Sequence, residues 1–147
     1  MTGFFSRLTA LFTEAEQNAG RTHDPAGLAL AALMVRLARA DGDFDAEERA
    51  RIETALDARF GDGAALLAAA EGAERAALDH HQFTKVVKAA YAPEERGALL
   101  EELWAVVLAD QTRDDEENAL MRQFASLLHV SDQDVARARR RVERNGD

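Results

Sequence analysis

The sequence predicts an all-α helical bundle, and three observations lead there. Nearly half of the 147 residues are apolar, dominated by Ala and Leu, with two prolines and nine glycines, a composition that favours helix over sheet or disorder. Apolar residues recur at i, i+3, i+4 and i+7 through most of the chain, the period of a helix with one buried face. One stretch also occurs twice, 69 positions apart: Ala40-Asp41-Gly42-Asp43-Phe44-Asp45-Ala46-Glu47-Glu48 and Ala109-Asp110-Gln111-Thr112-Arg113-Asp114-Asp115-Glu116-Glu117. Both copies keep Ala-Asp, an Asp four residues on, then Glu-Glu, and each lies between two apolar helical runs. The expected architecture is therefore one domain over 1–147, built around two related helix-loop-helix units with extra N-terminal and C-terminal helices.

The elements follow in order. An N-terminal helix over 3–17 carries Phe4, Leu8, Leu11, Phe12 and Ala15 on one face. Its polar face lacks the Lys and Arg of a membrane-surface helix, so packing against the domain is expected. The first repeat spans 25–60. Asp24-Pro25 reads as an N-cap and a first-turn proline, and the helix behind it is apolar nearly all round, with Leu28, Leu30, Leu33, Met34, Val35 and Leu37. Such a helix belongs in the middle of a bundle. After the acidic loop, Asp45 and Glu48 resemble a capping box before a stripe of Ile52, Ala55, Leu56 and Phe60, and Gly61-Asp62-Gly63 ends that helix.

Connecting helices are expected over 64–91: alanine-rich segments broken near Gly72, then a helix opened by Asp79 with Phe83, Val86, Val87, Ala90 and Tyr91 on its core face. The second repeat, 93–129, restarts at Ala92-Pro93-Glu94-Glu95. Leu99, Leu100, Leu103, Trp104, Val107 and Leu108 form its first stripe, and Leu120, Met121, Phe124, Leu127 and Leu128 its second. Ser131 and Asp134 open a C-terminal helix over 132–144. A four-helix core of the two paired hairpins is the most economical assembly, and it would put both acidic loops at one pole.

The chain has no cysteine, so disulfide and thiolate chemistry are excluded. A net charge of −9 argues against general nucleic-acid binding, which needs a concentrated basic footprint. The charge is concentrated in two places. Asp41 to Glu53 carries a local −4 and Asp110 to Glu117 another −4, so two segments account for almost all of it. No targeting segment and no membrane-length apolar run is visible, which makes the cytoplasm the default location.

The acidic loops are the candidate sites. Asp41, Asp43 and Asp45 alternate like the first ligands of an EF-hand, but Ala46 takes the place of the turn glycine and Ile52 that of the bidentate Glu. A looser set of Asp41, Asp43, Asp45 and Glu48, with Asp110, Asp114 and Glu117, is a candidate for a divalent cation such as Ca²⁺ or Mg²⁺. The competing reading makes Asp45 and Asp114 N-caps, with the other acids favouring the positive ends of their helices. As a docking surface, Asp41, Glu47, Asp115 and Glu116 suit a basic protein partner, while Arg137, Arg140, Arg141 and Arg144 share one face of the last helix. His80 and His81 point about 100° apart on a helix and so cannot chelate one ion; they read as surface residues at a helix start. No nucleophile motif or phosphate cradle is present.

Ala40-Asp41-Gly42 followed by Glu48 and Ile52, a degenerate second copy before Leu120, and a closing Val130-Ser131-Asp132 resemble the TerB-like domain of tellurite resistance proteins over roughly 28–142. A related domain occurs in some membrane-attached DnaJ-type co-chaperones. The resemblance implies an all-α bundle with duplicated helical hairpins, no established enzymatic activity, and an association with tellurite and other chemical or phage stress. It also implies a divalent-metal role for Asp41, Asp45, Glu48, Asp110, Asp114 and Glu117. The second loop departs from the pattern, with Gln111 at the glycine position and Arg113 placed to neutralise a carboxylate. Three functions remain in competition: a non-enzymatic interaction module of a stress response, a divalent-cation sensor using the same loops, and an unrecognised hydrolase.

Overall fold

The computed structural model describes residues 24–40, 44–77, 79–108 and 115–145. The helix expected over 3–17, and Asp41, Asp43, Asp110 and Asp114, lie outside the described residues, as do the side chains of Val107, Leu108, Asp115, Glu116 and Glu117. Among the described residues there are seven helices and no strand: α1 (Pro25–Arg39), α2 (Ala46–Phe60), α3 (Gly63–Ala76), α4 (His81–Ala90), α5 (Pro93–Leu108), α6 (Asp115–Leu127) and α7 (Asp132–Asn145).

The helix that is apolar on all sides, α1, is the centre of the fold. Every residue from Ala26 to Val35 is buried, with Leu37 and Ala38. It packs most extensively on α3 and α4 and also touches α2, α5 and α6. Leu30, Leu33, Leu37, Ile52, Leu56, Leu99, Leu103, Phe124 and Leu128 join one core, as their periodicity predicts. Ala90 is exposed, so the core face of α4 is narrower than expected and runs through Phe83, Thr84 and Val87.

The assembly is not a pair of tightly zipped hairpins. The two most extensive contacts join α1 to α3 and α5 to α7. In each half the first helix pairs with the helix that follows its hairpin. The register explains this: α3 begins at Gly63 and ends at Ala76, while α7 begins at Asp132 and ends at Asn145, again 69 positions apart. The duplicated unit is therefore three helices long, with α4 as the connector. Gly72 does not interrupt α3, because Leu66, Leu67, Ala69, Ala70 and Ala73 bury one continuous face, and that packing outweighs a glycine's cost of about 1 kcal/mol.

Helix ends are set by local chemistry. Asp45 accepts a hydrogen bond from the Glu48 N–H at 2.8 Å, Asp134 N–H donates to Ser131 Oγ at 3.2 Å, and Ala92 N–H donates to Glu95 Oε1 at 2.8 Å. Asp24 precedes α1 without a side-chain cap bond, and Pro25 supplies the start instead. Gly61 ends α2 in the left-handed region at φ 89°. Two residues on, a Cβ at Gly63 would lie 2.2 Å from the Glu53 carbonyl oxygen, so only glycine lets α3 turn back this closely on α2. The end of α6 is a Schellman motif, with His129 at φ 57° and the Val130 N–H donating to the Ala125 carbonyl.

One buried cation ties three helices together. Arg96, 9% exposed near the start of α5, donates from Nε to the Tyr91 carbonyl (3.1 Å) and from Nη2 to the Lys88 carbonyl (3.0 Å), both at the end of α4. Its Nη1 donates to the Leu128 carbonyl, just beyond α6, at 3.2 Å. The guanidinium thus meets the negative ends of two helices and satisfies carbonyls left unpaired there. Arg96→Met should lower unfolding free energy by about 2–4 kcal/mol, because three charge-assisted bonds are lost and buried carbonyls are left unpaired. Urea unfolding of the two proteins measures this.

Candidate functional site

The first acidic segment is described from Phe44 onward. Asp45 is exposed and its carboxylate caps α2, so the capping reading holds at that position. Glu48 is half-buried in the first turn, and Glu47, 74% exposed, pairs with Arg51 at 2.8 Å. Arg49 turns away from the loop to Glu71 on α3. Of the remaining candidate ligands, Asp41, Asp43, Asp110 and Asp114 lie outside the described residues, and Glu117 falls in the first turn of α6. Among the described residues no group of three or more carboxylates or imidazoles is assembled in metal-holding geometry.

The arginines of α7 are all at the surface but are used differently. Arg137 pairs with Asp134 at 3.2 Å and Arg141 reaches Glu101 on α5 at 3.5 Å. Arg144 is exposed, and Arg140 lines a groove of about 610 Å³ between α5, α6 and α7. Trp104 from α5, Asn118 and Arg122 from α6, and Asp132, Arg139 and Glu143 from α7 complete its chemistry. Arg139 lies over the Trp104 ring, 5.5 Å from its centroid, and its Nε donates to Glu143 at 2.9 Å. Trp104 Nε1 and Asn118 Oδ1 are buried without a hydrogen-bond partner among the described residues. Sequence reading placed Trp104 in the core and Arg140 on a basic face. It did not join them, because the groove is made by three helices whose spacing no local pattern encodes.

His80 corrects an expectation. It is a half-buried residue at the start of α4, with its ring edge-on to Phe124 at 5.0 Å between centroids, where a surface histidine was expected. Asp79 does open the helix, accepting from the His81 N–H at 2.8 Å. Burial and then the nearby Arg36 charge hold the His80 imidazole below its ordinary value of 6.5, since both disfavour a second positive charge.

The geometry sits on a recognisable chain. Residues 27–140 match the family described as tellurite resistance protein TerB. The chain belongs to the TerB family. No curated protein and no solved structure matches it. The family match runs from α1 into α7 and so includes both halves of the duplication. TerB membership associates the domain with tellurite resistance and accords with the all-α architecture. No helix among the described residues is long and apolar enough to cross a membrane.

Two measurements check the local physics. Asp45→Ala should cost about 1 kcal/mol, the usual value of a lost N-cap. A stability unchanged by that substitution would remove the cap as the reason for the acid. For His80, the folded state binds its proton less readily than the unfolded chain, so its stabilisation is fully present above about pH 6.5 and is lost as pH falls from 6.5 through the lower folded value. His80→Phe should flatten that part of the pH–stability curve relative to the parent chain.

Proposed function

We propose that this TerB-family chain is a non-enzymatic interaction module of a tellurite or chemical stress response, located in the cytoplasm, that recruits a basic partner through its acidic segments. The observation that carries the reading is the state of the first segment at α2. Asp45 fixes the helix start, Arg49 is drawn away to Glu71, and Glu47, though paired with Arg51, stands largely in solvent, which leaves an acidic edge at the start of α2. The second segment repeats the charge, a local −4, in the sequence around Asp114, Asp115 and Glu116. Two such clusters favour encounter with a basic surface and tie that encounter to ionic strength.

A divalent cation held by Asp41, Asp43, Asp45 and Glu48 is the rival occupant of the same region, and the two make different demands. A cation bound only by the folded state at 100 times its dissociation constant adds about 2.7 kcal/mol, roughly 5–10 °C in melting temperature for a chain of this size. The interaction reading expects millimolar Ca²⁺ or Mg²⁺ to do no more than sodium chloride at matched ionic strength, with Asp41→Asn leaving that response unchanged. It also expects a lysine-rich peptide to bind the full chain, and Asp41→Lys with Glu47→Lys to weaken that binding at least tenfold without moving the melting temperature. A divalent-specific thermal shift abolished by Asp41→Asn would replace this reading with the cation sensor.

A further inference from the structure

The two halves of the duplication can be compared position by position, because α1 and α5 end 69 residues apart, α2 and α6 begin 69 apart, and α3 and α7 do both. In the first half α2 packs on α3, and Arg49 on α2 is bridged to Glu71 on α3. The positions 69 residues later are Asn118 and Arg140. The ion pair has thus become a carboxamide and a cation, and neither has a partner among the described residues. Glu53, one turn from Arg49, becomes Arg122, so a site that is net acidic in the first half is net basic in the second. Composition acts in the same direction: α3 presents Gly63 and a run of alanines, which permit close approach to α2, whereas α7 carries the bulkier Arg139 and Arg140 and packs less closely on α6. Where the first half is closed, the second is the groove of about 610 Å³.

The groove contains two orphaned polar atoms of opposite character. Trp104, 4% exposed, has an Nε1–H without an acceptor, and Asn118 has an Oδ1 without a donor. Each such buried group is destabilising while unpaired and is relieved by a ligand that pairs it. A free oxyanion offers acceptors only, whereas Trp104 Nε1–H and the Asn118 carboxamide between them can use both an acceptor and a donor. A peptide amide supplies both a carbonyl and an N–H. An acidic side chain beside that amide would take the role that Glu71 plays in the first half, pairing with Arg122 and Arg140.

We infer that the α5–α6–α7 groove is a docking site for an acidic peptide segment of a partner protein, its main chain meeting Trp104 and Asn118 and its carboxylate meeting Arg122 and Arg140. Arg139 is the cover. It rests on the indole and is held by Glu143, and an incoming carboxylate competes with Glu143 for it and uncovers the ring. The groove takes a partner opposite in charge to the one proposed for the acidic segments.

Trp104 is the chain's one tryptophan, so its fluorescence reads the groove directly. Titrating the full chain with a Glu-Gly repeat peptide should give a saturable change in emission that weakens as salt is raised. The matched Gln-Gly peptide should bind at least tenfold more weakly. Arg122→Gln with Arg140→Gln should cost the Glu-Gly peptide at least tenfold, with the helical circular dichroism retained. Asn118→Arg with Arg140→Glu, which installs the first half's ion pair, should close the groove and abolish the response. The inference is overturned by no emission change at millimolar Glu-Gly peptide, by equal binding of the Gln-Gly peptide, or by inorganic phosphate saturating the signal as tightly as the Glu-Gly peptide. An unaltered response in the ion-pair variant overturns it equally.

Discussion

A helix with no polar face cannot stand at a surface, and that constraint on α1 organises the whole domain. Leu28, Leu30, Leu33, Met34, Val35 and Leu37 are all buried, and burial of each large apolar side chain contributes roughly 1.5–3 kcal/mol. One helix thus supplies on the order of 10 kcal/mol of drive, comparable with the net stability of an ordinary domain. That drive is realised only when neighbours cover every side, which α2 to α6 do. The charged residues along α1 are confined to its last turn, where Arg36 and Arg39 both reach Glu74 on α3, at 3.2 and 3.4 Å. The carboxylate is itself nearly buried, 8% exposed, so the pair of guanidiniums is what makes its position tolerable.

What was legible in the sequence was whatever repeats within one or two turns. Apolar spacing located the core, and the caps at Asp45 and Ser131 were visible because their partners lie three residues away. Arg96 was not legible: one of its acceptors, the Leu128 carbonyl, is 32 residues distant, and an arginine in a helix's first turns is locally indistinguishable from a solvated one. His80 was misread for the same reason, since only the arrival of Phe124 from α6 turns a helix-start histidine into a packed one. The break expected at Gly72 failed because propensity was weighed without the face of α3 that α1 covers.

The duplication shows the same limit from another direction. The acidic segments are recognisable as copies because their residues are similar. The third helices, α3 and α7, are copies in register and in pairing, yet one is alanine-rich and the other arginine-rich, so residue identity hides them. Backbone geometry survives such divergence because the paired faces keep small or apolar residues: Leu66 and Leu67 in the first half stand where Val135 and Ala136 stand in the second, and Ala69 where Ala138 stands. The outward positions have no such constraint. Function therefore has room to differ between halves that share a fold.

Net charge is a poor guide to what such a surface binds. At physiological ionic strength the screening length is about 8 Å, so a group entering the α5–α6–α7 groove responds to the nearest few charges and only weakly to the −9 of the whole chain. The groove's own lining carries Arg122, Arg139 and Arg140 against Asp132 and Glu143, a modest excess of positive charge. An acidic protein can therefore carry a locally basic groove, because the lining and not the total charge sets most of the potential an entering group meets.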